Sequence, residues 1–175
     1  MKKIMQWCLL AILFSPSSVV LAQNKPGIFT FTPGAGYEYF SARRNLQNTV
    51  LPNAAISYNF DEKLAIEFLA GMINTNSTAV GQGGVHGTLY LIDGFYRLTP
   101  RHLFAPYLLA GIGLTSLKPN GVDSRQQANI NAGIGTQLFA DKAVALRADI
   151  RDLYTFVGSE NDVLVNLGVS FLFGA

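Results

Sequence analysis

The sequence predicts an all-β fold, a transmembrane antiparallel up-and-down β-barrel of eight strands. Three observations carry that expectation. Apolar residues alternate with small or polar ones in segment after segment, the period of a strand with two unlike faces. Short turns alternate with longer loops. The chain is also apolar without helical spans. Mean hydropathy is +0.25 and 14% of residues are charged, against ~25% in soluble domains, yet nothing after the leader offers ~18 consecutive apolar residues.

Residues 1–22 read as a cleaved signal peptide. Lys2 and Lys3 supply the positive start, Ile4 to Phe14 an apolar run broken by Gln6, and Val20-Leu21-Ala22 the cleavage site. The run is too short to cross ~30 Å of hydrocarbon as a helix. Cys8, the one cysteine, leaves with the leader, so the expected mature domain, residues 23–175, has no disulfide and no thiolate metal site.

The strands follow in order. Phe29, Phe31, Ala35, Tyr37 and Tyr39 form one lane, with Thr30, Thr32, Gly34, Gly36 and Glu38 opposite. Ala54, Ile56, Tyr58 and Phe60 alternate with Asn53, Ala55, Ser57 and Asn59. Leu64, Ile66, Phe68, Ala70 and Met72 alternate with Ala65, Glu67 and Gly71. Tyr90, Ile92 and Tyr96 oppose Asp93 and Arg97, and Phe104, Leu108, Ala110, Ile112 and Leu114 oppose Tyr107, Gly111 and Gly113. Ala128 to Leu138 is the cleanest lane, against Asn129, Asn131, Gly133, Gly135 and Gln137. Val144, Leu146, Ala148 and Ile150 alternate with Arg147, Asp149 and Arg151. Val163 to Phe173 closes the series around Asn166, Gly168 and Ser170.

A soluble sandwich also alternates, but its outer lane is solvated and rich in Lys and Glu. Here lysine is nearly absent from the strands, the polar lane is small or paired in charge, and the apolar lanes carry one charge, Asp152. Aromatics cluster at strand ends, as in an interfacial girdle. The polar lane therefore faces a narrow lumen and the apolar lane faces lipid. Asp61 to Lys63, Leu98 to His102 and Ala140 to Lys142 read as periplasmic turns. Ser41 to Thr49, Asn74 to Gly87, Ser116 to Gln126 and Phe156 to Asp162 read as external loops. An even strand count puts both termini in the periplasm of a Gram-negative envelope.

Three patches, Leu64 to Gly71, Gly94 to Thr99 leading to Ala105–Gly113, and Asn166 to Phe173, resemble the OmpA-type transmembrane domain, the eight-stranded outer-membrane barrel of the OmpA and OprF kind. The resemblance spans the mature chain as short patches and implies a bacterial outer-membrane location. It also implies that Asn166, Gly168, Phe171 and Phe173 form a C-terminal signal read by the barrel-assembly machinery. The family usually continues into a peptidoglycan-binding domain. The sequence ends at Ala175, after its last strand, so cell-wall tethering is not expected to carry over.

Several residue sets invite chemistry. Glu38, Glu67, Asp93, Arg97, Arg147, Asp149 and Arg151 share the inner lane and suggest a lumen charge network, either a structural plug or a gate. Counted from the turns, Glu67 and Arg147 lie at similar depth, as do Glu38 and Arg151. Gly-x-Gly at Gly34/Gly36, Gly111/Gly113 and Gly133/Gly135 is not followed by a helix, so it makes room for neighbours and does not cradle a nucleotide. His86 is followed by Gly87 and Thr88, which departs from the His-x-Ser pattern of lipid A deacylases; His102 lies in a turn, and Ser77 is a poor substitute. Arg43, Arg44, Lys118 and Arg125 fall in the external loops, where they either meet lipopolysaccharide phosphates or a surface ligand, or are solvated. With 13 basic and 11 acidic residues, nucleic acid is not an expected partner. Neither a cofactor nor a metal is expected. The function expected first is a non-catalytic structural or surface-interaction barrel, in contact with outer-membrane lipids and a surface or host partner. A narrow passive pore comes second and a lipid A-modifying enzyme third.

Overall fold

The computed structural model describes residues 24–79, 83–99, 103–119 and 124–174. The leader, with Cys8, and His102 lie outside them. Eight strands follow in order: β1 (Phe29–Tyr39), β2 (Thr49–Asn59), β3 (Leu64–Asn76), β4 (Gly84–Arg97), β5 (Phe104–Pro119), β6 (Arg125–Asp141), β7 (Val144–Thr155) and β8 (Glu160–Phe173). Each pairs antiparallel with its sequence neighbours, and β1 pairs with β8, closing the barrel. Following one rung from Tyr39 through Val163, Asp152, Ala132, Ala110, Gly94, Ile66 and Tyr58 returns to β1 at Phe29, a stagger of ten residues. With ~3.3 Å per residue and ~4.8 Å between strands, that stagger tilts the strands by roughly 40°, the geometry of a small membrane barrel.

The period of two is realised in every strand. β3 alternates exposed and buried along almost its whole length. The outward lane is apolar: Phe31, Ile56, Phe68, Ile92, Ile112, Ile134, Ile150 and Leu167 are all exposed. Such a surface is stable only in lipid, and lipid in turn requires that every backbone group be paired within the sheet. Outward aromatics gather at both rims. Phe29, Tyr58 and Phe60 touch at the turn end, with ring centroids 4.9 and 5.3 Å apart. The Tyr37–Tyr39 and Tyr154–Phe156 pairs mark the loop end. In the β2–β3 turn the Leu64 and Lys63 amides, each 2.6 Å from Asp61 Oδ1, hold that carboxyl below the usual carboxylate range. Because the folded value is the lower one, this turn's support is complete above pH ~4 and is lost as pH falls through the folded value.

The expected bounds of the external loops need correction. The β3–β4 ladder continues to Asn76↔Gly84, and the β5–β6 ladder to Leu117↔Arg125. Half of Asn74 to Gly87, both ends of Ser116 to Gln126, and Glu160 to Asp162 of the last expected loop are therefore strand. The backbone goes on pairing after it leaves the apolar layer, but the outward face there is polar (Asn74, His86, Ser116, Lys118), so the contrast that betrays a strand in sequence disappears. The β3–β6 wall is consequently taller than the rest of the rim.

Much of the inner lane is apolar. Towards the loop end Leu51, Leu69, Ile73, Leu89, Leu91, Leu153 and Leu164 pack together, all 0–2% exposed, with Phe40 from above. Phe95, Tyr107 and Leu109 form a second apolar layer nearer the turns, and Ile28, Phe139 and Leu172 a third. An eight-stranded lumen is just wide enough for side chains to fill, and here they fill it.

A closed barrel with all its ladders paired should resist detergent. Unheated protein in mild SDS is expected to migrate apart from boiled protein and to give a β-type circular-dichroism spectrum. Equal migration with a helical spectrum would contradict this architecture.

Candidate functional site

Alternation along β7 puts Arg147, Asp149 and Arg151 on one inward lane. Across the lumen, Glu67 of β3 and Asp93 of β4 are direct register partners. The five side chains join. The Arg147 guanidinium grips Glu67 with two nitrogens, Nη1 on Oε2 and Nη2 on Oε1 at 2.9 Å, while its Nε donates to Asp149 Oδ2 at 2.9 Å. Arg151 donates from Nε to Asp149 Oδ1 at 2.7 Å, from Nη1 to Asp93 Oδ2, and from Nη2 to Glu67 Oε1 at 3.2 Å. Tyr107 hydroxyl donates to Asp149 at 3.1 Å and accepts from Arg147 at 2.9 Å, and Asn131 Nδ2 donates to Asp93 at 2.8 Å. Arg147 also lies 5.0 Å from the Phe95 ring centroid and 5.6 Å from that of Tyr107. All five charged residues are at most 5% exposed.

The Gly-x-Gly motifs explain how so many large side chains fit. Gly111 is the register partner of Asp93, Gly133 of Arg151, Gly135 of both Asp149 and Tyr107, and Gly168 of Arg147. A Cβ on Gly135 would run into the Tyr107 ring and sit 2.7 Å from Asp149 Cβ. Four of the five buried ions thus have a neighbour without a side chain, while Glu67 stands between Ser57 and Asp93.

Two inner-lane residues stand outside the network. Arg97 donates from Nη2 to Asn59 Oδ1 at 2.9 Å near the turn end, and its Nε and Nη1 have no hydrogen-bond partner among the described residues. Glu38 does not meet Arg151. They share a rung through Leu164, whose fully buried side chain separates them. Counting depth from the turns ignored both the stagger and the residue in between.

The loop-end mouth holds a second ionic cluster. After β1, Ser41 caps a single 3-10 turn (Ala42–Arg44), Asn45 takes φ 52, and the segment crosses the opening. One side is tied to β3 by Gln47 N to Asn76 O at 2.9 Å and Thr78 N to Asn45 O at 2.7 Å. Arg44 reaches the other side: Nε lies 2.7 Å from Asp162 and Nη1 3.0 Å from Glu160, with donations to Gln127 at 2.6 Å and Thr155 at 2.7 Å. Ser41 N also donates to Asp162 at 2.8 Å. Arg44 is therefore a buried tether, with a side chain 3% exposed, and its guanidinium is already occupied. Beside the strap, a cavity of about 330 Å³ is lined by Arg43, Arg44, Leu46, Leu117, Arg125 and Glu160, among others. Arg43 is exposed, and Lys118 and Arg125 sit on strand extensions, not on loops.

Sequence reasoning missed Tyr107 and Asn131 as members of the network, and Glu160, Asp162, Gln127 and Thr155 at the mouth. Asp162 was within reach, since it continues the inner lane of Leu164 and Asn166; the Arg44 contact, made by an aperiodic segment, was not. His86 lies outward on β4, its Nδ1 2.7 Å from Asn74 Oδ1, and Ser77 forms a bridge with Leu46. Asn166 accepts from Asn53 Nδ2 at 2.8 Å, Gly168 packs on Thr32, and Phe171 and Phe173 face outward. Among the described residues no group of His, Cys, Asp and Glu is arranged to hold a metal ion.

The profile of the family described as "Outer membrane protein beta-barrel domain" matches residues 8–173. No curated protein matches the sequence. Among solved structures, the N-terminal barrel domain of Pseudomonas aeruginosa OprF is similar at TM-score 0.64 and 20% identity, covering 85% of this chain and 98% of that one. Neisserial surface protein A gives TM-score 0.64 at 16% identity, covering 83% and 98%. The Yersinia pestis attachment invasion locus protein Ail, in complex with the heparin analogue sucrose octasulfate, gives 0.60 at 14%, covering 85% and 99%. At these identities the likeness is one of fold.

Removing one side of the Glu67–Arg147 contact strands a buried charge, so Arg147→Ala is expected to cost about 3–5 kcal/mol. Neutralising both partners should recover part of that. A double-mutant cycle on urea unfolding in vesicles measures the coupling, and additive effects would refute it. Gly135→Ala should cost about 1–3 kcal/mol by overpacking Tyr107 against Asp149, whereas Gly94→Ala, on the outer face with its nearest neighbour 3.8 Å away, should be near neutral.

Proposed function

The chain belongs to the outer-membrane β-barrel domain family, and from that premise we propose that it serves the bacterial outer membrane as a closed, non-catalytic barrel that acts through its outer surface. The observation that carries this reading is the stacking inside the lumen. An apolar layer, in which Leu51, Leu69, Leu89, Leu91 and Leu164 are each 0% exposed, lies directly above the Glu67–Asp93–Arg147–Asp149–Arg151 network. An ion crossing would have to shed its hydration against leucines after displacing bound guanidiniums, and the cost of an unpaired charge there is several kcal/mol. The charge network is in this reading a structural plug and not a gate, because opening it leaves the leucine layer in place.

The non-catalytic part rests on His86. Its recorded partner is the amide of Asn74, which cannot hold an imidazolium as a carboxylate does in a hydrolytic triad. Surface contact falls to Arg43 and Arg125 at the mouth and to Lys118 on the outer wall. Ail carries a heparin analogue in its crystal structure, and a polyanion is the ligand class these exposed side chains suit. Residues 1–22 serve as a cleaved export signal, both termini are periplasmic, and Asn166, Gly168, Phe171 and Phe173 are read by the barrel-assembly machinery.

Planar-bilayer recording tests the closure. Wild-type protein and the Glu67→Gln/Arg147→Gln pair are both expected to give no stable channel. Regular conductance steps from wild type would favour a narrow pore, and steps from the pair alone would make the network a gate. For assembly, Phe173→Ala should lower outer-membrane levels several-fold, measured by immunoblot of fractionated envelopes. Phe156→Ala is expected to do less, although Phe156 packs edge-on against Tyr154 (5.7 Å) in the loop-end girdle and is not free in solvent. Equal levels for the two would remove the assembly role.

A further inference from the structure

The taller β3–β6 wall has an outer face that neither the lumen nor the mouth uses. Cross-strand registers arrange it in three rungs. On β4–β6 the upper rung is His86↔Lys118, beside Asn74 of β3; the next is Thr88↔Ser116↔Gln126, beside Met72 of β3; the third is Tyr90↔Leu114↔Ala128. All of these side chains alternate to the outside of the barrel. Two polar rungs thus stand directly on an apolar one.

Below them the apolar surface is hollowed. Ala128 interrupts a row of large residues, and Phe156, whose backbone N–H reaches the Ala128 carbonyl at 3.5 Å, stands beside the gap. Tyr90, Ile112, Leu114, Ala128, Ile130 and Phe156 line a groove of about 600 Å³. Phe68, stacked on Tyr90 with centroids 6.2 Å apart, lines the same groove. The groove therefore has two aromatic walls, a floor of aliphatic side chains and one small residue that sets its depth.

Charge selects the occupant. Lys118 crowns the groove, with His86 as its register partner, and the described residues of this face between β4 and β6 carry no carboxylate. His86 Nδ1 lies 2.7 Å from Asn74 Oδ1, a contact that orients the ring beside Lys118. Thr88, Ser116 and Gln126 add hydroxyl and amide donors just beneath. A cation above hydrogen-bond donors above an acyl-sized groove matches a phosphorylated lipid standing in the same leaflet.

We propose that the outer face of β4–β6 is a lipid site that holds one phosphorylated, multi-acyl lipid of the outer leaflet. Its acyl chains lie in the groove between Tyr90 and Phe156, and its phosphate lies at Lys118. This deepens the outer-surface reading above and rests on the loop end facing outward.

Native mass spectrometry of the whole mature protein, released from bilayers of defined composition, tests the site. The probes are bis-phosphorylated lipid A, its dephosphorylated form, and phosphatidylcholine. Wild type should retain the phosphorylated lipid preferentially. Lys118→Gln should lower that preference about fivefold, the effect of one basic residue near an anionic lipid surface. Lys142→Gln, in the β6–β7 turn at the opposite rim, should leave it unchanged. Ala128→Phe fills the groove and should reduce retention of both lipid A forms alike. Heat-shifted gel mobility confirms that each variant is folded. Equal retention by wild type, Lys118→Gln and Ala128→Phe would overturn the site, as would a loss confined to Lys142→Gln. Neither result would bear on channel closure, which the bilayer recordings test separately.

Discussion

Lipid offers no partner to a peptide group, and that constraint organises the molecule. A sheet can cross the membrane only if its first and last strands pair, and β1 pairs with β8 over almost the length of both. Closure with eight strands and a stagger of ten residues then sets a lumen too narrow for water to fill freely. Everything pointing inward must pack as a protein core, although the outward face is apolar too over most of its height.

The core that results is layered by chemistry. Five charged side chains are gathered at one level, where Arg147 and Arg151 share Glu67, Asp93 and Asp149, and apolar layers lie above and below. Their gathering has a physical cause. A buried guanidinium is tolerable only when its donors are met, so the ions have to be mutually within reach. Glycines on neighbouring strands supply the room for that approach, and the ions occupy the space the glycines leave. Arg97 and Glu38, outside this level, have buried polar atoms without a hydrogen-bond partner among the described residues.

The loop end is built differently. There the strap after β1 is fastened to β3 through backbone hydrogen bonds and to β8 through Arg44, Glu160 and Asp162. One guanidinium links elements that are far apart in sequence and holds a loop across the opening. The uneven height of the rim follows from the long β3–β6 ladders, and it leaves an outer face whose polar rungs stand above the apolar band. Mouth and outer wall therefore present different surfaces, an arginine-lined cavity inside and a lysine-crowned groove outside.

Alternation with period two determined most of this fold from residues alone: which strands exist, which lane meets lipid, and that Glu67, Asp93, Arg147, Asp149 and Arg151 point into one lumen. Those are local properties, since a strand's neighbours in sequence set which face each side chain takes. The glycine pairs were legible too, because no helix follows them and both members fall on the inner lane. Where the strands left the apolar layer the contrast vanished, and Asn74 to Asn76 or Leu117 to Pro119 could not be told from loop. What the tertiary structure alone decided was depth and partnership. The stagger that closes the barrel set the rungs, so Leu164 separated Glu38 from Arg151, Gly135 came to lie between Tyr107 and Asp149, and Arg44 met carboxylates more than a hundred residues away. Pairing across a closed barrel is a property of the whole ring, and no window of sequence contains it.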